Sequence, residues 1–309
     1  MTTMNAMVVG GAGFLGSHLV DRLLAEGIAT DVIDDLSTGS LGNLADARHA
    51  GGSLKIHTLD VRAAEFATLV SMRRPEVIYH LAVLTPANAQ HETDGGAVAG
   101  VLAVLEAARM HGVTKVVVAL PAGDLYGEVP ARELPVKEGR AFESSSVAGV
   151  LARTVTDLML VYRDQYAIEF TVLAMTSVYG PRQRPSDGVV ASFVAAHVAG
   201  EALVVHGDGR QTRDLMYVDD AVDALLRAGQ RGGGLVINVG TGVQTAVRDL
   251  AAVLQLDPAL VHQGRRHGDL TRVCVSPTRA RIHLQWSPWT QLADGVQATL
   301  AHASAAAAE

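Results

Sequence analysis

Cysteine, aromatic residues and long apolar runs are all scarce in this chain. Its 309 residues include one cysteine, Cys274, which excludes an internal disulfide and fits a reducing compartment such as the cytoplasm. Aromatic residues make up 4%, too few for a platform on which nucleic-acid bases stack. No apolar run approaches the roughly 18 residues of a membrane span, and no signal peptide precedes Met7. We therefore expect a cytoplasmic protein without a membrane anchor.

Positively charged residues are also fewer than negatively charged ones. The chain has 25 Lys and Arg against 32 Asp and Glu, and the net charge of −7 argues against nucleic acid or an anionic membrane as its main partner. The 12 histidines are scattered without an H-E-x-x-H spacing, so no metal site is expected. Hydrophobic residues, by contrast, make up 49%, and alanine and valine carry most of them. This composition favours a buried parallel sheet that is covered by helices.

Short runs rich in valine and isoleucine alternate with helical patterns along the chain. This alternation predicts βαβ units and an α/β fold, a Rossmann-type doubly wound parallel sheet. The predicted strands lie near Ala6–Val9, Thr30–Ile33, Leu54–Thr58, Val77–His80, Val116–Ala119, Phe170–Ala174 and Leu235–Val239. The clearest predicted helices are Phe14–Glu26, Ala97–Met110 and Ala148–Gln165.

The regular alternation loosens after Thr176, where Pro181, Pro185 and Gly188 mark loops. We therefore predict a dinucleotide-binding Rossmann domain made of residues 1–176 plus 212–245. Residues 177–211 plus 246–309 are predicted to form a smaller C-terminal substrate-binding domain. Ligands of such folds bind at the carboxyl ends of the strands, so the site is expected in the crevice between the two domains.

A glycine-rich stretch, VVGGAGFLGSHL, follows the first predicted strand and opens the first helix. Gly10, Gly13 and Gly16 permit a tight turn and a close approach of the backbone to a pyrophosphate, which the helix N-terminus then faces. Asp34 ends the second predicted strand, where a carboxylate accepts hydrogen bonds from the adenosine ribose. Because a 2′-phosphate would meet the charge of Asp34, NAD is favoured over NADP. The predicted cofactor is NAD(P)H.

Further residues are predicted to contact this cofactor because they follow the carboxyl ends of successive strands. They are Phe14, Leu15, Asp35, Ser37, Asp60, Val61, Leu81, Ala82, Val83, Ala119 and Thr176.

With these motifs the chain resembles the extended short-chain dehydrogenase/reductases of the NAD-dependent epimerase/dehydratase type. The resemblance runs nearly from end to end. It implies the fold and the cofactor, and it allows a homodimer through the helices near 97–110 and 148–165, but it does not specify the reaction. The landmarks, in family order, are GGAGFLG (Gly10–Gly16), DDLSTG (Asp34–Gly39), HLA (His80–Ala82), LYGEVP (Leu125–Pro130), VYGPRQ (Val178–Gln183), GDGRQTRDLMYVDD (Gly207–Asp220), NVGTG (Asn238–Gly242) and HGDL (His267–Leu270).

The resemblance also implies a Ser/Thr–Tyr–Lys set, often joined by an Asn, that moves the proton while the cofactor moves the hydride. Counting from the landmarks puts the hydroxyl residue at Ala122, the Tyr at Ala148, the Lys at Ala152 and the Asn at Ala97. All four positions therefore lack the expected chemistry. The loss of general acid help typically costs about 10²–10⁴-fold in rate.

Three other residues are candidates to replace the missing acid. Ser146 directly precedes the Tyr position, although a helix N-cap is the competing interpretation. His91 lies in the loop after a strand and titrates near neutral pH. Asp124 lies two residues after the vacant hydroxyl position.

Substrate contacts are predicted for Thr85, Ser177 and Arg213. Ser177 stands where relatives that bind nucleotide sugars often have Asn. Arg213 and Arg266 match family positions that grip a diphosphate, but ion pairs with Asp214 and Asp269 explain them equally well.

Three functions remain open at this point. The favoured hypothesis is an NAD(P)H-dependent ketoreductase of an aromatic polyketide in antibiotic biosynthesis, as in atypical, triad-less angucyclinone ketoreductases. Its substrate would supply its own proton from a neighbouring phenol, and the four alanines would make room for flat rings. The alternatives are a non-catalytic dinucleotide-binding sensor and a nucleotide-sugar epimerase or dehydratase with substitute catalytic groups.

Overall fold

Strands alternate with helices throughout the computed structural model of the chain, which describes residues 5–83, 96–143, 146–254, 260–266 and 268–308. In these ranges the strands are β1 Asn5–Val9, β2 Ala29–Asp34, β3 Leu54–Thr58, β4 Val77–His80, β5 Lys115–Pro121, β6 Glu169–Met175, β7 Ser177–Tyr179, β8 Leu203–His206, β9 Thr212–Arg213, β10 Leu215–Tyr217, β11 Leu235–Val239, β12 Thr245–Ala246, β13 Leu260–Gln263 and β14 Arg272–Val273.

The α-helices of the same ranges differ widely in length. None of them is long and apolar enough to cross a membrane. They are α1 Phe14–Ala25, α2 Ala45–His49, α3 Ala64–Arg73, α4 Gly96–His111, α5 Ala122–Tyr126, α6 Val147–Tyr166, α7 Val189–Val198, α8 Val218–Gln230, α9 Val247–Val253, α10 Thr278–His283 and α11 Leu292–Ala308, with 3-10 turns at Leu41–Leu44, Ala131–Glu133 and Pro185–Asp187.

Seven strands form one parallel sheet in the order β11–β6–β5–β4–β1–β2–β3. The chain winds outward from β1 in both directions, so β2 and β4 flank it, and a crevice opens at their carboxyl ends. The predicted doubly wound sheet is confirmed, and all seven predicted strands are present. Their ends shift by at most two residues, because backbone pairing continues beyond the apolar runs, as between Pro121 and Met175.

The two faces of the sheet carry separate apolar cores. Side chains alternate along a strand, so Met7 and Val9 of β1 face one core, whereas Ala6 and Val8 face the other. The first core is covered by α3, α4, α5 and α6. The second is covered by α1, α8 and α10, together with the fully buried Trp286. Strands that are buried on both faces account for the high apolar content of the chain.

A third apolar cluster lies beside the sheet and joins α7, β8, α9 and α11. Both segments of the predicted smaller domain contribute to it, as does Leu215 of β10. The division into two domains nevertheless stays a prediction. Short strands extend this part of the molecule, with β13 parallel to β8 and β7 parallel to β10.

Helix α6 has defined ends. At its start, Ser146 is the N-cap, and its Oγ accepts a hydrogen bond from the Gly149 N–H at 3.0 Å. At its end, Ala167 adopts a left-handed conformation with φ of 58°, and its N–H donates to the Arg163 carbonyl at 2.9 Å. Glycine is usual at such a terminus, because the Cβ of any other residue meets the following carbonyl oxygen.

Replacement of Ala167 by glycine should therefore stabilise the protein. We expect Ala167→Gly to raise the free energy of unfolding by about 1 kcal/mol, because the strain of the left-handed alanine exceeds the added freedom of the unfolded chain. The measurement is urea unfolding followed by circular dichroism. Ala298→Gly is the matched control: Ala298 is exposed within α11, so the same change should cost up to about 1 kcal/mol. Destabilisation by both variants would contradict the assignment.

Candidate functional site

One long cleft follows the carboxyl edge of the sheet. It begins at the loop after β1, passes the ends of β4, β5 and β6, and continues between α7, β8 and the residues Arg266, Asp269 and Leu270. Its volume is about 1490 Å³. A pocket for one drug-sized ligand measures roughly 300–1,000 Å³. The cleft therefore has room for a large cofactor and a second ligand end to end.

The glycine-rich loop forms the floor at one end of the cleft. Gly10 adopts a φ of +81° and donates its N–H to the Ile33 carbonyl at 2.8 Å. A Cβ on Gly16 would overlap the Gly10 carbonyl oxygen, so this helix start can pack on the strand end only without a side chain. Gly13 caps α1 without a side-chain acceptor, which leaves the first-turn N–H groups available to an anion. This cradle fits a pyrophosphate.

Asp34 stands at the end of β2 beside the loop. Its two carboxylate oxygens accept hydrogen bonds from Ala12 N–H at 2.8 Å and Leu36 N–H at 2.9 Å. Burial raises the pKa of this carboxyl. The side chain is only 7% exposed but lines the cleft, and each oxygen keeps a lone pair for a ribose hydroxyl.

Two neighbouring carboxylates, those of Asp35 and Asp60, line the same end of the cleft. Asp35 accepts hydrogen bonds from the N–H and the Oγ of Ser37, at 2.9 and 2.6 Å. Asp60 pairs with Arg62 at 2.7 Å, and these hydrogen bonds lower the pKa of the Asp60 carboxyl.

Most residues predicted to contact a cofactor lie on this cleft. Val83 does not: it is fully buried in the core beneath α4, because its side chain points into the sheet's first apolar cluster. Thr85 and His91 lie outside the described residues. The predicted residues that line the cleft are Gly10, Gly13, Phe14, Leu15, Gly16, Asp34, Asp35, Ser37, Asp60, Val61, Leu81, Ala82, Ala119 and Thr176.

The four alanines at the positions that the resemblance assigns to catalytic side chains do not line the described part of the cleft. Ala97, Ala122 and Ala152 are at most 2% exposed and belong to the first core, and Ala148 is 8% exposed. None of them is among the described residues that line the cleft. The cause is tight packing, since α5 contacts α6 and α6 contacts α4. Contrary to the expectation from sequence, these alanines do not make room for flat rings.

The candidate acids differ in their surroundings. Ser146 is the N-cap of α6, as the competing interpretation held. Asp124, on α5, lines the cleft at the end of β5, near Thr176 and Ser177 at the end of β6. Burial raises the pKa of the Asp124 carboxyl.

The two arginines that the sequence left ambiguous take different roles. Arg213 is ion-paired with Asp269, and its guanidinium also donates to the carbonyls of Thr212 and Leu270. Asp214 instead accepts hydrogen bonds from the backbone of Thr241, Gly242 and Val275. Arg266 lines the cleft, is exposed, and has no ion pair with any other described residue. Its charge is therefore available to an anionic ligand.

The sequence analysis predicted few residues of the far half of the cleft, which is the part between α7, β8 and Arg266. Its walls combine basic and apolar side chains on the β7–α7 connection, α7 and β8. Part of this wall is supplied by the motifs VYGPRQ, GDGRQTRDLMYVDD and HGDL, which the sequence did indicate. The additional lining residues include Tyr179, Gln183, Arg184, Val189, Phe193, Val204, His206, Gln211, Val247 and Leu270.

Comparison with known proteins extends over the whole chain. Residues 6–240 match the NAD dependent epimerase/dehydratase family. A UDP-glucose 4-epimerase of Mycolicibacterium smegmatis is 39% identical, with 96% of this chain and 97% of that protein covered. The solved UDP-glucose 4-epimerase of Thermotoga maritima with UDP-glucose has a TM-score of 0.90 and 33% identity over 97% of this chain and 98% of its own. That of Thermus thermophilus, in complex with NAD, has a TM-score of 0.88 and 30% identity over 97% and 99%.

These similarities overturn the favoured functional hypothesis. A ketoreductase of aromatic polyketides in antibiotic biosynthesis is contradicted by the 39% identity to a UDP-glucose 4-epimerase over nearly the entire chain. The hypothesis rested on the vacant positions, which carry no information about the substrate. The predicted cofactor class is confirmed, because the matched family is NAD-dependent. The nucleotide-sugar alternative is the one that these findings support.

The contact between Gly16 and Gly10 supplies a direct test of the cofactor end. We expect Gly16→Ala to lower the free energy of unfolding by about 1–3 kcal/mol and to weaken NAD⁺ binding, because the added methyl group pushes α1 away from β1. The measurements are thermal unfolding and calorimetric titration with NAD⁺. In the control Gly139→Ala, the added Cβ has no heavy atom within 4 Å, so neither quantity should change. Normal NAD⁺ binding by Gly16→Ala would contradict this role of the loop.

Proposed function

The chain belongs to the NAD-dependent epimerase/dehydratase family, and on this premise we propose that it is an NAD-dependent enzyme that epimerises a UDP-hexose. The observation that carries the proposal is the continuity of one cleft, with a dinucleotide cradle at one end and the free guanidinium of Arg266 at the other. A nucleotide sugar laid along the far half would present its sugar to the middle, at the ends of β5 and β6.

The cofactor would be held by residues of this chain with separate tasks. The loop Gly10–Gly16 receives the pyrophosphate, and Asp34 accepts the adenosine ribose hydroxyls. Asp34 also favours NAD over NADP, since a 2′-phosphate would lie against its carboxylate. When bound, NAD supplies an acceptor and donor of hydride. Leu81, Ala119 and Thr176, at the ends of β4, β5 and β6, would enclose its nicotinamide half.

The nucleotide sugar would be held mainly by charge and by apolar walls. Arg266 offers a guanidinium to the diphosphate, and its hydrogen bonds to phosphate would be charge-assisted. Arg213 also lines the cleft, but Asp269 and two carbonyls occupy most of its donors, so its task is to hold the β9–β14 region in place. Phe193 and Val189 supply an apolar surface for the base.

A second candidate function is supported by a separate observation. Because Ala122, Ala148 and Ala152 are buried and carry no acid or base, a protein that binds both ligands without turnover is the alternative. Epimerisation and mere binding differ in one measurement. Purified protein supplied with NAD⁺ and UDP-glucose should form UDP-galactose, detected by chromatography of the nucleotide sugars. Tight binding of both ligands with no product after prolonged incubation would favour the binding protein.

Arg266 should govern the affinity for the nucleotide. We expect Arg266→Gln to weaken UDP binding by about tenfold, since the lost hydrogen bonds to a charged partner are worth roughly 1.5–3 kcal/mol and the site is partly open to salt. The measurement is calorimetric titration with UDP. Arg210→Gln is the matched control, because Arg210 has a 75% exposed side chain and does not line the cleft. Equal UDP affinity of the two variants would contradict a diphosphate site at Arg266.

A further inference from the structure

We propose that Asp124 is the catalytic residue that takes the proton from the reacting sugar hydroxyl and returns it, in place of the side chains that Ala122, Ala148 and Ala152 lack. This inference rests on the proposed function, because it names the proton-transfer group of that same cleft. Three observations support it.

The first observation is the position of Asp124. Helix α5 follows β5 at once and buries Ala122, Leu125 and Tyr126 in the core. Only Gly123 and Asp124 of this helix line the cleft. The Asp124 carboxylate is thus carried to the middle of the cleft by the carboxyl end of a central strand, between the dinucleotide cradle and Arg266.

The second observation is that the other proton acceptors of the described lining are already engaged. Asp34, Asp35 and Asp60 accept hydrogen bonds at the cradle end. Asp187 is paired with Arg184, and Asp269 with Arg213. Asp124 is the one carboxylate among the described lining residues without a hydrogen bond or ion pair to another described residue.

Among the described lining residues of the far half, the tyrosine and the histidine that could accept a proton are also engaged. The Tyr179 hydroxyl is buried and donates to the Leu292 carbonyl at 3.3 Å. His206 lies on β8 and makes a hydrogen bond with the Gly264 carbonyl at 3.4 Å. Neither lies at the strand ends where the two ligands would meet.

The third observation concerns the ionisation of Asp124. The side chain is half-buried, and desolvation raises the pKa of its carboxyl above the usual range. A carboxyl whose pKa is raised by burial returns a proton more readily than an exposed aspartate does.

With Asp124 as the proton acceptor, the proposed reaction balances as follows. The Asp124 carboxylate takes the proton of the sugar hydroxyl as its O–H bond breaks. The C–H bond of the same carbon would break with its electron pair, for which NAD, when bound, would supply the hydride acceptor, so that the carbinol would become a ketone. After the sugar presents its other face, hydride and proton return to carbon and oxygen, and the configuration is inverted with atoms and charge in balance.

The test compares Asp124→Ala and the isosteric Asp124→Asn with wild type in the presence of NAD⁺. Epimerisation of UDP-glucose should fall about 10²–10⁴-fold in both variants. UDP affinity should stay unchanged in both variants, whereas UDP-glucose affinity should fall about tenfold in Asp124→Ala, because the lost hydrogen bond reaches only the sugar. Formate should restore part of the activity of Asp124→Ala, since a small carboxylate can fill the vacated space.

Asp157→Ala and Asp157→Asn are the matched controls, because the Asp157 side chain is 61% exposed on α6 and outside the cleft. They should behave as wild type with and without formate. Activity of both Asp124 variants within threefold of an active wild type overturns the inference and leaves the proposed function standing. Equal losses of UDP and UDP-glucose affinity, or no rescue by formate, also overturn it, because they indicate a structural role. An inactive wild type overturns the proposed function and this inference together.

Discussion

The site depends on the parallel alignment of the seven strands of the central sheet. Because all strands point the same way, every loop that follows a strand emerges at one edge, and each connection must cross a face as a helix. The glycine loop after β1, Asp34 at the end of β2 and Asp124 after β5 share an edge for this reason alone. The close approach of Gly16 to the Gly10 carbonyl then sets the first helix against the sheet and shapes the dinucleotide cradle.

The packing of the helices against the sheet also determines which side chains do not reach the cleft. The positions where the family's Tyr and Lys are expected lie on α6, whose alanines contact the helices beside it and reach no ligand space. No described residue of α6 lines the cleft, so this helix supplies no proton-transfer group to it. Within the described lining, the chemistry is concentrated in Asp124 and Arg266, one an unpaired carboxylate and the other an unpaired guanidinium. A nucleotide sugar presents a matching pair of features, a hydroxyl-bearing ring and a diphosphate.

The ketoreductase hypothesis was wrong because it inferred a substrate from side chains that were expected but not found. The alanines at the expected catalytic positions bear on the mechanism of proton transfer. They say nothing about the substrate, which is selected by the side chains that line the cleft. The walls of the far half, such as Phe193 and Arg184, are dispersed over several short elements, so no local pattern reveals them. The similarity to a UDP-glucose 4-epimerase covers 96% of the chain and therefore draws on far more of the sequence than the motifs do.

The sequence by itself determined the doubly wound sheet, its seven strands, the glycine cradle and the position of Asp34, because each of these follows from a local pattern of glycine or of apolar residues. The assignment of alanines to the family's catalytic positions stays a prediction from the resemblance. Only the tertiary structure decided that Arg213 forms an ion pair with Asp269 while Arg266 has no such partner among the described residues. It also decided that Val83 packs in the core. The physical reason is that ion pairing and burial depend on residues far apart in the chain, whose distances are fixed only when the elements pack.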